Sequence, residues 1–218
     1  MELARRFGGA YLAGRRPTIA IARKTIVDAE PDLFGPPPLA AAPEGFRYQP
    51  DLLTPDEEAR LIDAIAPLPF KPFEFRGYLG NRRTISFGFR YDYTARRVLD
   101  AAPAPDALVD LRARAAAFAA RPADDFVQTL VSEYAPGAGI GWHLDRPQFG
   151  DVVGISLLAP CAMRFRRKNG ASWDRASVPL APRSAYLFTG PARDAWQHSI
   201  TPMTTLRYSV TFRTLRAP

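Results

Sequence analysis

The sequence predicts an α+β fold that is mainly β: a sheet-based barrel or sandwich with helices ahead of it. Three observations predict it. Two helix patterns come early, one between Thr54 and Pro67 and one from Ala107 to Ala120. From Phe126 onward, apolar runs of strand length recur between turn signals such as Pro136-Gly137 and Asn169-Gly170. Ahead of them, Ile85, Phe87, Phe89, Tyr91 and Tyr93 alternate with Ser86, Gly88, Arg90 and Asp92, the period of a half-buried strand.

Taken in order, residues 1–45 read as a basic, Pro/Ala-rich extension, flexible in part. Arg5, Arg6, Arg15, Arg16, Arg23 and Lys24 stand against Glu2 alone over its first two dozen residues. Thr25-Ile26-Val27-Asp28 suggests a short strand, and residues 35–43 a semi-rigid linker. One domain is expected over 46–218. In its first helix Thr54 is the cap, Pro55 fills the first turn, and Glu57 completes a capping box. Leu61, Ile62 and Ile65 form its apolar stripe, and Pro67 and Pro69 stop it. An arginine- and aromatic-rich segment follows, to residue 97. In the second helix, Leu108, Leu111 and Phe118 can face a core. The later strands are expected over Phe126–Tyr134, Asp151–Leu158, Ala162–Arg166, Ala185–Thr189 and Tyr208–Thr214.

Composition narrows the class of function. The net charge is +7 over 218 residues, and only Lys24, Lys71 and Lys168 contribute lysine to it. Arginine suits phosphates and planar acids, so a polyanionic partner such as nucleic acid is expected. The single Cys161 can form neither an intramolecular disulfide nor a metal cluster, which fits a reducing cytoplasm. No apolar run approaches the ~20 residues of a membrane span. Nothing in the sequence demands an obligate protein partner, and a monomer is expected.

The chain has two histidines, His143 and His198. His143-Leu144-Asp145 offers an imidazole and a carboxylate on one face of an extended segment. With His198 they form the two-His, one-carboxylate set that leaves open positions on a non-haem Fe(II). Arg207 and Arg213 follow at even spacing, on one face of one strand, where buried guanidinium groups call for anions. Residues 134–142 are a glycine-rich approach that lets backbone pass close to a ligand.

From Tyr134 to Arg213 the chain resembles the AlkB family of Fe(II)- and 2-oxoglutarate-dependent dioxygenases. Tyr134-Ala135-Pro136-Gly137, His143-Leu144-Asp145, Ser156-Leu157, Gly190-Pro191-Ala192-Arg193, Trp196-Gln197-His198 and the run Arg207 to Arg213 carry the resemblance. It extends back to Phe46 through Leu53-Thr54-Pro55-Asp56-Glu57-Glu58 and Phe87-Gly88-Phe89. The resemblance implies a double-stranded β-helix (jelly-roll) core under a nucleotide-recognition lid at about 70–97. It implies iron held by His143, Asp145 and His198, with 2-oxoglutarate and O2 as co-substrates. Arg207, helped by Tyr134, would meet the distal carboxylate of 2-oxoglutarate, and Arg213 would lie near its chelating end. Ser132 and Ser209 stand where the family often has Asn; both can still donate a hydrogen bond.

The activity implied is oxidative demethylation of N-alkylated bases in DNA or RNA, a DNA-repair chemistry that releases formaldehyde, succinate and CO2. The alternatives are hydroxylation of a modified tRNA base and a protein or small-molecule hydroxylase. Candidate substrate contacts are Phe73, Phe75, Tyr78, Arg82, Arg83, Phe87 and Trp142. The tract from Arg164 to Lys168 reads as a hairpin arm, either solvated or tracking phosphates, and Arg193 as the anchor of a local loop.

Overall fold

In a computed structural model of the protein, residues 42–75, 78–92 and 97–216 are described, without the side chains of 75, 78–79, 90–92 and 97–99. The expected extension over 1–45, with its short strand and linker, lies almost wholly outside them, as does Tyr93. The chain runs β1 (Phe46–Gln49), α1 (Pro55–Ile65), β2 (Lys71–Phe75), β3 (Tyr78–Phe87), β4 (Phe89–Asp92), β5 (Arg97–Asp100) and α2 (Asp106–Ala119). It continues with β6 (Phe126–Tyr134), β7 (Ile140–His143), β8 (Phe149–Leu157), β9 (Cys161–Asn169), β10 (Ser172–Leu180), β11 (Ala185–Phe188), α3 (Gly190–Asp194), β12 (Gln197–Ile200) and β13 (Arg207–Leu215).

A seven-stranded sheet has the order β1-β11-β8-β13-β6-β3-β2, and a four-stranded sheet the order β10-β9-β12-β7. Side-chain alternation divides the larger sheet into two faces. Val131, Val153, Ile155, Val210 and Phe212 point to one, where Leu61 and Ile65 of α1 and Leu108 and Leu111 of α2 cover them. Val152, Tyr186 and Phe188 point to the other and pack against Met163, Phe165 and Leu180 of the smaller sheet. The space between the two sheets holds the candidate site.

Local chemistry explains the helix ends. Thr54 accepts from the Glu57 backbone, and the Glu57 carboxylate accepts from the Thr54 N–H at 2.8 Å, the reciprocal capping box. Arg114 of α2 also binds Glu57 and, by that side-chain bond first, holds its carboxyl down to about 2. Helix α2 ends at Ala120, whose left-handed backbone (φ 56°) lets its N–H reach back to the last turn.

Two expectations need correction. The alternating run from Ile85 does not continue as one strand. Gly88 takes φ +73°, and a Cβ there would stand 2.3 Å from the Val127 carbonyl oxygen, so the chain turns and starts β4. Asp145 does not share a strand with His143, because β7 ends at His143 and Asp145 sits in the loop beyond it.

Candidate active site

Strand pairing brings the histidines together. His198 of β12 lies opposite His143 of β7, and their ring centroids are 4.2 Å apart. His143 Nδ1 lies 2.9 Å from the Gly141 carbonyl, so Nδ1 carries the proton and Nε2 keeps its lone pair for a metal. Asp145 completes the group, and one ligand atom from each of the three residues lies within 4.8 Å of the others.

The electrostatics suit a cation. Burial, and then His143, push His198 down to about 3, and burial likewise lowers His143. Both imidazoles are therefore neutral and ligand-ready at neutral pH. Burial alone would raise the Asp145 carboxyl. Arg213, then His198 and His143, outweigh it and hold that carboxyl well below the usual carboxylate range. Arg213 Nη2 lies 3.4 Å from Asp145 Oδ1, with both side chains about a tenth exposed.

Arg193 fixes the loop that carries Asp145. Buried at the end of α3, it donates to the carbonyls of Gly150 (2.9 Å), Phe149 (2.6 Å), Arg146 (2.5 Å) and Asp145 (3.4 Å). Five donors in a planar fork can satisfy four carbonyls, which a lysine cannot do. The sequence reading of Arg193 as a loop anchor is thus met, and the loop it anchors holds a metal-ligand candidate. Arg193→Ala is expected to weaken Mn(II) binding about 10–100-fold, the usual effect of losing a group that orients a ligand. Titration calorimetry checks it, and unchanged Mn(II) affinity would remove that role.

Behind the triad lies a small chamber of ≈ 40 Å³ lined by Ser132, Tyr134, Tyr186, Ser209 and Arg213. Cross-strand register places these side chains: Tyr134 faces Arg207, and Ser132 faces Ser209, which in turn faces Ser156. Arg207 is wholly buried, donates through Nε to Ser156 Oγ at 3.1 Å, and lies over the Tyr134 ring at 5.1 Å. Its Nη1 and Nη2 are buried without a hydrogen-bond partner in the protein. Two parallel donors left over on a buried guanidinium fit one carboxylate, as a dicarboxylate co-substrate would supply.

A larger cavity of ≈ 1040 Å³ opens in front of the triad, between the β2–β3 hairpin and the turn from Gly139 to Arg146. The segment expected to form the lid supplies one wall. Of the candidate substrate contacts, Phe73, Arg82 and Trp142 line that cavity. Arg82 is buried, stacks on Phe73 at 4.1 Å, and its Nη1 lies 3.5 Å from the Tyr134 hydroxyl. Phe75 and Tyr78 face one another across β2 and β3, with their side chains outside the described residues.

Two candidates fall away from the cavity. Phe87 is buried in the core beneath the helices. Arg83 points to that same side, where Glu133 receives it in a two-pronged pair (2.7 and 2.8 Å) and Tyr208 donates to the same carboxylate. Both residues have odd numbers on β3, and the cavity takes chiefly the even ones, Gly80, Arg82, Thr84 and Ser86, with Ile85 at its edge.

A family model described as 2OG-Fe(II) oxygenase superfamily matches residues 45–213. The chain belongs to that superfamily. This oxygenase is of the AlkB type, a dioxygenase that uses Fe(II), 2-oxoglutarate and O2, with His143, Asp145 and His198 as its metal-binding triad. It is 27% identical over 173 residues to mouse tRNA (carboxymethyluridine(34)-5-O)-methyltransferase ALKBH8, covering 75% of this chain and 25% of that protein. It is 28% identical over 182 residues to an Arabidopsis thaliana protein named Alkylated DNA repair protein ALKBH8 homolog, covering 72% of this chain and 50% of the relative. The oxygenase thus spans a quarter to a half of the curated relatives named here. The solved structure of OsALKBH1 superposes with a TM-score of 0.60 at 19% identity, over 81% of this chain and all of that one, which establishes the shared fold. Among the described residues, no helix is long and apolar enough to cross a membrane.

Proposed function

We propose that residues 46–218 oxidise N-alkyl substituents on nucleobases of DNA or RNA, acting in the cytoplasm to restore the unmodified base. The observation that carries the co-substrate half is Arg207, whose Nη1 and Nη2 are buried without a protein partner beside Tyr134, itself part of the chamber wall. In this reading His143, Asp145 and His198 hold iron. Arg207 and Tyr134 hold the distal carboxylate of 2-oxoglutarate, Ser132 and Ser209 border it, and Arg213 steadies its chelating end and Asp145. The iron so held would supply oxidation of a substrate C–H, one oxygen atom of O2 passing to the substrate and the other leaving with 2-oxoglutarate as succinate and CO2. The chain's own work is positioning. A methyl carbon on nitrogen gains a hydroxyl, and the hydroxymethyl group then leaves as formaldehyde while the nitrogen regains a proton.

The outer cavity has the volume for a nucleotide and the residues to grip one. A base turned out of its stack costs a few kcal/mol, and stacking against Phe73 or Trp142 can return ~1–3 kcal/mol. A second reading, oxidation of a modified tRNA base, is favoured by the tRNA substrate in the mouse relative's name. The experiment is incubation with Fe(II), 2-oxoglutarate and ascorbate, followed by mass spectrometry of methylated single- and double-stranded oligonucleotides and of total tRNA. Loss of a methylene mass is expected on the oligonucleotides. Gain of one oxygen on tRNA would favour the second reading, and no change on any nucleic acid would sink both.

A further inference from the structure

We infer that the outer face of the four-stranded sheet is a platform for single-stranded nucleic-acid backbone, leading into the cavity mouth. This rests on the nucleic-acid reading above and names where the flanking strand runs. Along β9, Met163 and Phe165 are buried between the sheets, so Arg164, Arg166 and Lys168 face outward. Register sets Trp173 and Arg175 of β10 beside Lys168 and Arg166, and Gln197 and Ser199 of β12 beside Arg166 and Arg164. Asp174 is the one acidic residue in the four strands, and it points the other way to pair with Arg167 at 2.9 Å. Arg164, Arg166, Lys168 and Arg175 therefore share a face to which the described residues of the four strands contribute no carboxylate.

That arrangement opposes folding by itself. Arg166 and Arg175 stand directly opposite one another, and like charges so placed repel. A polyanion removes the repulsion. The side chains are also already set for one. Arg166 Nε donates to Gln197 Oε1 (2.7 Å) and Arg164 Nε to Ser199 Oγ (3.1 Å), which fixes both guanidinium planes by their inner edge. Arg166 lies 4.5 Å from the ring centres of both Trp142 and Trp173, and Lys168 lies 5.2 Å from Trp173. The result is a layered surface of flat cations and aromatic rings, the combination that binds phosphates and stacks bases without reading sequence. Trp142 joins it to the site, since it also lines the ≈ 1040 Å³ cavity and immediately precedes His143.

The test uses the full chain and a fluorescent polythymidine oligonucleotide, with affinity measured as a function of salt. Arg166→Ser/Lys168→Ser/Arg175→Ser is expected to lower affinity roughly tenfold or more and to reduce the salt slope by about 2, from ~0.7 per phosphate contact on a single strand. A control, Arg60→Ser/Arg112→Ser/Arg114→Ser, removes the same charge from α1 and α2 and should keep the wild-type slope. Trp173→Ala keeps every cation and should weaken binding with the slope unchanged, which guards against misfolding of the triple variant. An unchanged slope in the strip variant overturns the platform while wild-type binding leaves the proposed function standing. An equal drop in both triple variants also overturns it, as does tighter binding of polyglutamate or anionic vesicles than of the oligonucleotide. No wild-type binding at low salt would remove the nucleic-acid reading itself.

Discussion

His143→Ala is expected to give a folded protein with no measurable turnover. The two effects separate because the side chain does little for the fold. His143 is partly buried at the end of a four-residue strand, and its ring makes one hydrogen-bond-length contact, to Gly141 two residues away. Loss of one such contact amounts to about 1 kcal/mol. For a metal the change is larger. One imidazole and one carboxylate remain, and that carboxylate has Arg213 at 3.4 Å as a competing partner. A cation would then have to displace Arg213 with two protein ligands instead of three. Wild-type protein should gain thermal stability on adding Mn(II), by ~2.7 kcal/mol at a hundred times its Kd. The variant should show no gain at the same concentration, and no succinate from 2-oxoglutarate. A variant that keeps the Mn(II) shift and full turnover would refute the triad as the metal site.

How far the sequence could have led to this site depends on the distance over which each signal acts. Local signals were legible. The capping box at Thr54 and Glu57 forms as read, and β6 spans Phe126–Tyr134 as expected, because capping and alternation depend on a few neighbouring residues. The triad and the arginine pair were legible through scarcity and spacing together with a family pattern. The expected strand ranges leave out β7, β10 and β12, although residues 143–145 read as an extended segment. The first and last are four residues each, and β10 carries Asp174, Arg175 and Pro179, so each owes its form to the partner it pairs with. Arg83 is a different case. It shares strand parity with Ile85 and Phe87, so the alternation that marked the strand already pointed it away from Arg82. What no local pattern supplies is Glu133, the buried carboxylate fifty residues away with which half-exposed Arg83 pairs. The four carbonyls gathered by Arg193 are hidden in the same way, since they lie more than forty residues earlier in the chain.

Arg207→Met is expected to raise the stability of protein free of 2-oxoglutarate while abolishing 2-oxoglutarate binding. The wild-type guanidinium is wholly buried with one hydrogen bond, to Ser156, and a ring contact to Tyr134. Methionine gives up that charged hydrogen bond, ~1.5–3 kcal/mol, and the ring contact, ~0.5–2 kcal/mol. Against this stands a desolvation penalty of several kcal/mol for a buried ion whose Nη1 and Nη2 have no protein partner. The penalty is the larger quantity, and methionine fills comparable space with a flexible apolar chain. A net gain of about 1 kcal/mol corresponds to a rise in Tm of ~2–4 °C for a domain of this size. With Mn(II) present, 2-oxoglutarate should then raise the Tm of wild type and leave that of Arg207→Met unmoved. The opposed signs are what make the test sharp. A structural arginine, satisfied by its surroundings, would lower Tm when replaced, and loss of ligand response would follow only from damage to the fold. A fall in Tm, or a retained response to 2-oxoglutarate, would take the distal carboxylate away from Arg207.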